Sequence, residues 1–284
     1  MLSENVRVSQ PHSPKNFVGY RPIDPTLTRE SGRLWWDSNA QEYMDEHRAF
    51  LGDADFVWGP EGLREADARL LGDIRDLSGQ KVLEIGSGAA QCSRWLAAGG
   101  CDVVATDVSA TMIEQARLLN ERTGVNVPLV AADARDLPFG DAAFDVVFTA
   151  YGAIPFVAEL DAIHAEVARV LRPGGRWVFS VTHPIRWAFP DAPGEPGLTV
   201  SKSYFDRAPY IETDPSGNVT YAEYHRTIGD HVAALVAAGF ALTGIIEPEW
   251  PTDNTNVWGG WSPLRGKVLP GTAIFQAVRP SLVE

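Results

Sequence analysis

The residues best suited to chemistry begin where an apolar run stops. Val82-Leu83-Glu84-Ile85 leads directly into Gly86-Ser87-Gly88, and helix-compatible residues follow. Glycines at the carboxyl end of a first strand let a ligand approach backbone that side chains would otherwise block. A dinucleotide is one such ligand, but its Gly-x-Gly-x-x-Gly pattern needs a third glycine where this chain has Gln91, too large for close helix packing. A carboxylate at Glu84 would also sit awkwardly beside pyrophosphate, and it suits a cationic ligand without phosphates. The pattern therefore favours a sulfonium amino acid over a nicotinamide cofactor. Asp107 ends the run Val103-Val104-Ala105-Thr106, about 20 residues past the glycines, where a carboxylate can accept both hydroxyls of a ribose. Asp107 supports a nucleoside without separating the two cofactor classes; an Asp that merely caps the next helix is the plainer alternative.

Five segments, in order, resemble the motifs of class I S-adenosylmethionine-dependent methyltransferases, closest in flavour to the group around the ubiquinone/menaquinone-biosynthesis enzymes. Glu84-x-Gly86-x-Gly88 resembles the first motif, and Asp107-Val108-Ser109 with Met112 the ribose-binding turn. Ala132-Asp133-Ala134 resembles the segment whose Asp meets the adenine amino group, and Asp136-Leu137-Pro138-Phe139 continues it. Phe144-Asp145-Val146-Val147, with Ala150 and Tyr151, resembles the fourth-strand motif that lines the methyl-donor pocket. Val170 to Gly175 resembles the turn into the fifth strand. The likeness is firm from Leu77 to Val181 and looser from Tyr224 to Val278. It implies S-adenosylmethionine as cofactor, S-adenosylhomocysteine as product and no metal. The implied cofactor-binding residues are Tyr43, Glu84, Gly86, Ser87, Gly88, Asp107, Val108, Met112, Asp133, Ala134, Ala150 and Tyr151. Tyr43 matches a helical Tyr that closes over the donor's methionine end, although a core position would explain it equally well. Asp145 reads better as a residue that pins strand geometry, Cys92 as a small buried residue and His164 as a packed or surface histidine.

These residues must be positioned by alternating elements. Strand-like runs at Lys81–Ile85, Asp102–Thr106, Val125–Ala131, Phe144–Thr149 and Arg176–Val181 alternate with helical patterns. The clearest helical stripe is Phe156, Leu160, Ile163, Val167, Val170 and Leu171, stopped by Pro173-Gly174-Gly175. That rhythm predicts a parallel sheet covered by helices on both faces. Upstream, Leu63, Leu70, Leu71, Ile74 and Leu77 fall close to one helical face before Gly79. With the resemblance, the expected fold is α/β: a Rossmann-like seven-stranded, mostly parallel sheet with helices on both faces, an N-terminal helical extension and an insert after the fifth strand. The expected divisions are a flexible arm over 1–26, a helical cap over 27–77, the donor-binding core over 78–182, a lid or substrate insert over 183–222, and completion of the sheet over 223–284.

Methyl transfer from a sulfonium is an in-line displacement with an activated donor, so alignment alone can supply ~7–11 kcal/mol. A general base adds ~10²–10⁴-fold where the acceptor must lose a proton. The histidines expected at the carboxyl-end rim of the sheet, His183 and His225, are the candidates for that base, each with a structural alternative. Three aromatic-rich segments lie outside the strands: Trp35 and Trp36; Trp187, Phe189, Tyr204, Phe205 and Tyr210; and Trp250, Trp258 and Trp261. If they converge above the donor they form a pocket for a small, apolar or aromatic organic acceptor, methylated on oxygen or nitrogen rather than carbon.

The charge of -13, without any basic block, argues against a nucleic-acid partner, since phosphate binding needs clustered Lys and Arg. Thr149-Ala150-Tyr151-Gly152 stands where base-amino methyltransferases carry an Asn-Pro-Pro-Tyr-like motif. Two cysteines, Cys92 and Cys101, give neither a disulfide framework nor a zinc spacing and fit a cytoplasmic protein. No apolar stretch approaches the ~18 residues of a membrane span, and no signal peptide is visible. The expected partner is a small-molecule acceptor, with the chain a monomer or homodimer. An NAD-type oxidoreductase and a nonenzymatic S-adenosylmethionine-binding scaffold are the alternatives.

Overall fold

The Val- and Ile-rich runs are strands because both their faces are buried. In the computed structural model, which describes residues 17–281, adjacent residues of each central strand enter different apolar clusters. Val82, Val146, Val178 and Ile274 pack on one side of the main sheet, while Leu83, Val147, Phe179 and Phe275 pack on the other. This is the period-2 alternation of a strand covered by helices on both faces.

In chain order the elements are β1 (Val18–Tyr20), α1 (Ser31–Leu51), α2 (Glu65–Ala68), α3 (Ile74–Leu77), β2 (Lys81–Ile85), α4 (Gln91–Ala98), β3 (Asp102–Asp107), α5 (Ala110–Thr123) and β4 (Leu129–Ala131). There follow β5 (Phe144–Ala150), α6 (Leu160–Val170), β6 (Leu171–Thr182), β7 (Tyr210–Thr213), β8 (Val219–Glu223), α7 (Ile228–Ala237), β9 (Ala241–Ile246), α8 (Pro263–Gly266) and β10 (Thr272–Val278). The main sheet runs β4-β3-β2-β5-β6-β10-β9. Neighbours from β4 to β6 are parallel, and β10 is antiparallel to both β6 and β9. The seven-stranded, mostly parallel Rossmann-like sheet is thus the observed fold. Its order reverses between β2 and β5, and a ligand crevice opens at such a switch point.

Local chemistry fixes the element ends. Ser109 accepts from the Met112 amide to start α5, and Gly124 at φ 71° ends it. Thr227 and Asp230 form a reciprocal capping box on α7. Asp145 accepts from the Lys81 amide at 2.7 Å and pairs with Arg172, pinning the strand geometry as expected. Cys92 is buried, and His164 is packed in the core, where Trp177 Nε1 donates to its Nδ1.

Two stretches differ from the sequence expectation. The apolar face from Leu63 to Leu77 is not one helix. Glu65 accepts from the amides of Leu70 and Leu71 and from Trp58 Nε1, and Gly72 sits at φ 113°, so the chain breaks between α2 and α3. A buried side chain that satisfies backbone amides competes with helix hydrogen bonding. The second difference is a three-stranded antiparallel sheet, β1-β7-β8, built from the insert and from a strand within the expected arm. Residues 1–16 of that arm lie outside the described residues. The register sets Tyr20 beside Tyr210 and Tyr210 beside Glu223, with Val18, Glu212 and Tyr221 in the next row. Tyr20, Tyr210, Glu212, Tyr221 and Glu223 therefore share one face, while Ile211 and Ala222 are buried on the other.

Candidate active site

The glycine turn after β2 is tight and open at once. Gly86 and Gly88 have φ of 62° and 52°, a region that glycine enters without strain. A Cβ on Gly86 would come within 2.8 Å of the Ala153 amide nitrogen, whereas one on Gly88 would meet nothing within 4 Å. One glycine is thus required by the chain beside it, and the other leaves its backbone facing empty space. Asp107, at the end of β3, accepts from the Gly88 amide at 2.8 Å and from the Ser109 amide at 2.9 Å. A carboxylate has about four acceptor positions, so capacity remains for two further donors. Burial raises the Asp107 carboxyl above its ordinary range, partly offset by these two amides.

These residues floor a cleft with about 1020 Å³ of empty space, its open mouth included. Of the residues expected at a cofactor site, Tyr43, Gly86, Ser87, Gly88, Asp107, Val108, Met112, Asp133, Ala134, Ala150 and Tyr151 line it. Glu84 does not. It is 2% exposed, and its Oε2 accepts from the Ser93 amide at 3.1 Å and from Ser93 Oγ at 2.5 Å, inside the first turn of α4. The helix N-terminus favours a carboxylate there, but burial outweighs it and holds the carboxyl above its ordinary range. The idea that Glu84 repels a pyrophosphate therefore loses its basis, because the group is hidden beneath the turn.

Asp133 lines the cleft but is already engaged. Its carboxylate accepts from the Arg135 amide and Nε at 2.9 Å and from Nη2 at 2.6 Å, while Arg135 also pairs with Glu159. Burial pushes the Asp133 carboxyl up, but the Arg135 hydrogen bonds outweigh it and hold the group below the usual range.

The upper wall includes Trp36 of α1, one of the aromatics expected above the donor, and residues that motif reading missed: Gly32 and Arg33 on α1, and Ala153 and Phe156 after β5. Helical phase offered a signal for the first group, since Gly32, Trp36 and Tyr43 recur at about one face of α1. Asp37 holds that helix over the turn after β3, accepting from Ser109 Oγ at 2.7 Å and the Thr111 amide at 3.2 Å. Trp36 packs edge-on against Tyr43 and Phe156 at 5.3 and 5.4 Å between ring centres. Burial raises the hydroxyls of Tyr43 and Tyr151 well above their ordinary value, which keeps both neutral.

Neither candidate histidine is among the residues lining this cleft. His183 Nδ1 accepts from the Ile185 amide at 3.1 Å, so Nε2 carries the proton and donates to Glu247 at 2.7 Å. His225 Nε2 donates to the Tyr204 carbonyl at 2.6 Å, leaving Nδ1 buried without a partner among the described residues. Burial lowers both rings below the ordinary histidine value, partly offset by these contacts.

The expected convergence of aromatics is partial. Trp36 reaches the cleft, Trp35 lies 5.0 Å from Tyr221 of the small sheet, and Trp187 lies 6.1 Å from Tyr20. Trp258 stacks on His47 at 3.9 Å, while Trp250 and Trp261 are buried and Phe205 is 70% exposed. Among the described residues no helix is long and apolar enough to cross a membrane.

Comparison with known proteins agrees with this geometry. Residues 82–175 match the family described as methyltransferase domain. A demethylmenaquinone methyltransferase of Parafrankia sp. (strain EAN1pec) is 34% identical over 269 residues, covering 86% of this chain and 92% of the relative. The fold matches an S-adenosylmethionine-dependent methyltransferase from Mesorhizobium loti (TM-score 0.60, 24% identity, 78% of this chain and 100% of that one). It also matches the 1,6-didemethyltoxoflavin-N1-methyltransferase of Burkholderia thailandensis, solved with 1,6-didemethyltoxoflavin and S-adenosylhomocysteine (TM-score 0.57, 17% identity, 96% of this chain and 99% of that one). The cleft at the β2–β5 switch, the glycine turn and the extent of these likenesses make this chain a member of the class I S-adenosylmethionine-dependent methyltransferases, in the group that includes the demethylmenaquinone methyltransferases.

Proposed function

We propose that the cleft holds S-adenosylmethionine and that the chain methylates a small, hydroxyl-bearing aromatic acceptor of quinol-like ring structure. The observation that carries the donor site is the pairing of an open glycine backbone at Gly88 with a buried, under-occupied carboxylate at Asp107. Asp107 would take the ribose hydroxyls, Asp133 and Ala134 would flank the adenine, and the Gly86–Gly88 backbone would face the methionine portion. Tyr43 and Trp36 would cover that end and exclude water. The bound donor supplies an electrophilic methyl carbon on a positively charged sulfur. The chain's own contribution is alignment of the acceptor against that carbon, together with a proton acceptor where one is needed.

The acceptor class rests on the aromatic walls beyond the donor and on the relatives named for a quinone substrate. A cytoplasmic setting is consistent with two free, buried cysteines. The test is release of S-adenosylhomocysteine from S-adenosylmethionine in the presence of chemically reduced 1,4-naphthoquinone, with mass analysis of the product. A gain of one methyl group is expected. Tight S-adenosylmethionine binding without methylation of this ring would remove the acceptor class while leaving the donor site standing.

A further inference from the structure

Asp133 faces the cleft with most of its hydrogen-bonding capacity taken by a single residue. The Arg135 amide and Nε both donate to its Oδ1 at 2.9 Å, and Nη2 donates to its Oδ2 at 2.6 Å. A carboxylate has about four acceptor positions, so one remains, on Oδ2. The Asp133 side chain keeps 34% of its surface exposed and that of Arg135 only 11%, and both residues line the cleft. The same guanidinium donates from Nη1 to Glu159 at 2.7 Å, and the other Glu159 oxygen accepts from Arg29 at 3.1 Å. The row Asp133–Arg135–Glu159–Arg29 thus runs from the turn after β4 to the segment that leads into α1. Two acids face two cations, so the row adds no net charge to a cleft proposed for a cationic ligand. A planar fork bound to two carboxylates fixes orientation in a way that a point charge does not.

We propose that Arg135 is the positioning residue for base selectivity: its fork leaves Asp133 one acceptor position, which takes the 6-amino group of the bound adenine. The inference rests on the donor site proposed above and assigns discrimination at that site to Arg135, held on its other side by Glu159. Burial pushes the Asp133 carboxyl up, but the Arg135 hydrogen bonds outweigh it and keep the group ionised. An ionised carboxylate only accepts hydrogen bonds. An amino N–H satisfies the remaining position, whereas a ring carbonyl there sets one acceptor against another. Without the fork, Asp133 is free to rotate and to fill its positions from water. Removing the fork therefore removes the discrimination while the carboxylate itself stays in place.

The test titrates two ligands into the full chain: S-adenosylhomocysteine, and S-inosylhomocysteine, which carries a carbonyl oxygen in place of the amino group. The wild type should bind S-adenosylhomocysteine about thirtyfold tighter or more, the worth of one hydrogen bond to a charged group. R135K keeps the charge but offers no fork, so its ratio should fall to about threefold or less, and R135Q should do the same. A ratio of two affinities in one variant is insensitive to general loosening, which weakens both ligands alike. A merely structural role for Arg135 would leave that ratio where it was. An unchanged ratio in R135K overturns the inference, whatever R135Q does. So does loss of both ligands in R135K, which would make Arg135 a purely structural residue. A wild-type chain that binds the two ligands equally also overturns it, and each of these outcomes leaves the donor site standing. A wild-type chain that binds neither overturns the proposed donor site, and this inference with it.

Discussion

The Gly88 amide donates to Asp107 Oδ2 at 2.8 Å, so the turn after β2 and the carboxylate ending β3 form one hydrogen-bonded unit. Asp107→Ala removes the tie and the proposed ribose acceptor together. Hydrogen bonds to a charged group contribute ~1.5–3 kcal/mol, which corresponds to about 10- to 100-fold in affinity. S-adenosylmethionine titrated into Asp107→Ala should bind weaker by that factor. Wild-type affinity in the variant would show that the donor lies elsewhere.

Gly152 and Gly88 should respond differently to the same small change. A Cβ on Gly152 would overlap the Gly86 carbonyl oxygen and approach Thr149 Oγ1 at 3.2 Å. Gly152→Ala must displace backbone and should destabilise the fold by ~1–3 kcal/mol in urea unfolding. Gly88→Ala strains a backbone at φ 52° and places its methyl in the empty cleft, so donor affinity should suffer more than that of Gly152→Ala relative to the stability lost. Equal stability loss with unchanged donor binding in Gly88→Ala would contradict this geometry.

Glu84 links stability to pH. Burial, opposed by Ser93 and Arg94, raises its carboxyl to about 7 from an ordinary 4.5. Below pH 4.5 the group is protonated in the folded and unfolded states alike. As pH rises towards 7, the unfolded chain sheds this proton more readily, so the stability contributed by the neutral buried acid is progressively lost. The difference amounts to about 3 kcal/mol between pH 4.5 and 8. Glu84→Gln should escape it, and urea midpoints should fall more steeply with pH in the wild type than in the variant. Parallel pH profiles would remove Glu84 as the cause.

His183 serves a turn rather than the cleft. Its Nδ1 caps the short helical turn Pro184–Ala188 through the Ile185 amide, a role that an asparagine oxygen can take over. His183→Asn should keep turnover within about threefold of wild type, well short of the ~10²–10⁴-fold loss expected for a missing base. A loss in that larger range, measured at saturating acceptor with donor affinity unchanged, would restore His183 as the base.

Eleven of the twelve expected donor-site residues line the cleft because their positions follow from local geometry: strand ends, tight turns and first helical turns. Glu84 was misplaced for a reason also local in origin. Its motif position is correct, but a strand end can aim a side chain at ligand or beneath the turn, and here the carboxylate lies beneath the turn on Ser93. The broken helix between Leu63 and Leu77 illustrates the same limit. The apolar spacing is helical, yet one buried carboxylate on Glu65 satisfies amides that a continuous helix would need.

Sequence by itself determined the alternating core, the glycine turn and the acidic strand end, since each depends on residues within a few positions of one another. Only the tertiary structure decided the small sheet. Tyr20, Tyr210 and Glu223 lie on three different strands, and the pairing of β1 with a hairpin from the insert brings them into one row. That pairing joins segments about 190 residues apart through backbone hydrogen bonds between β1 and β7, and backbone bonds carry no mark in the side-chain sequence.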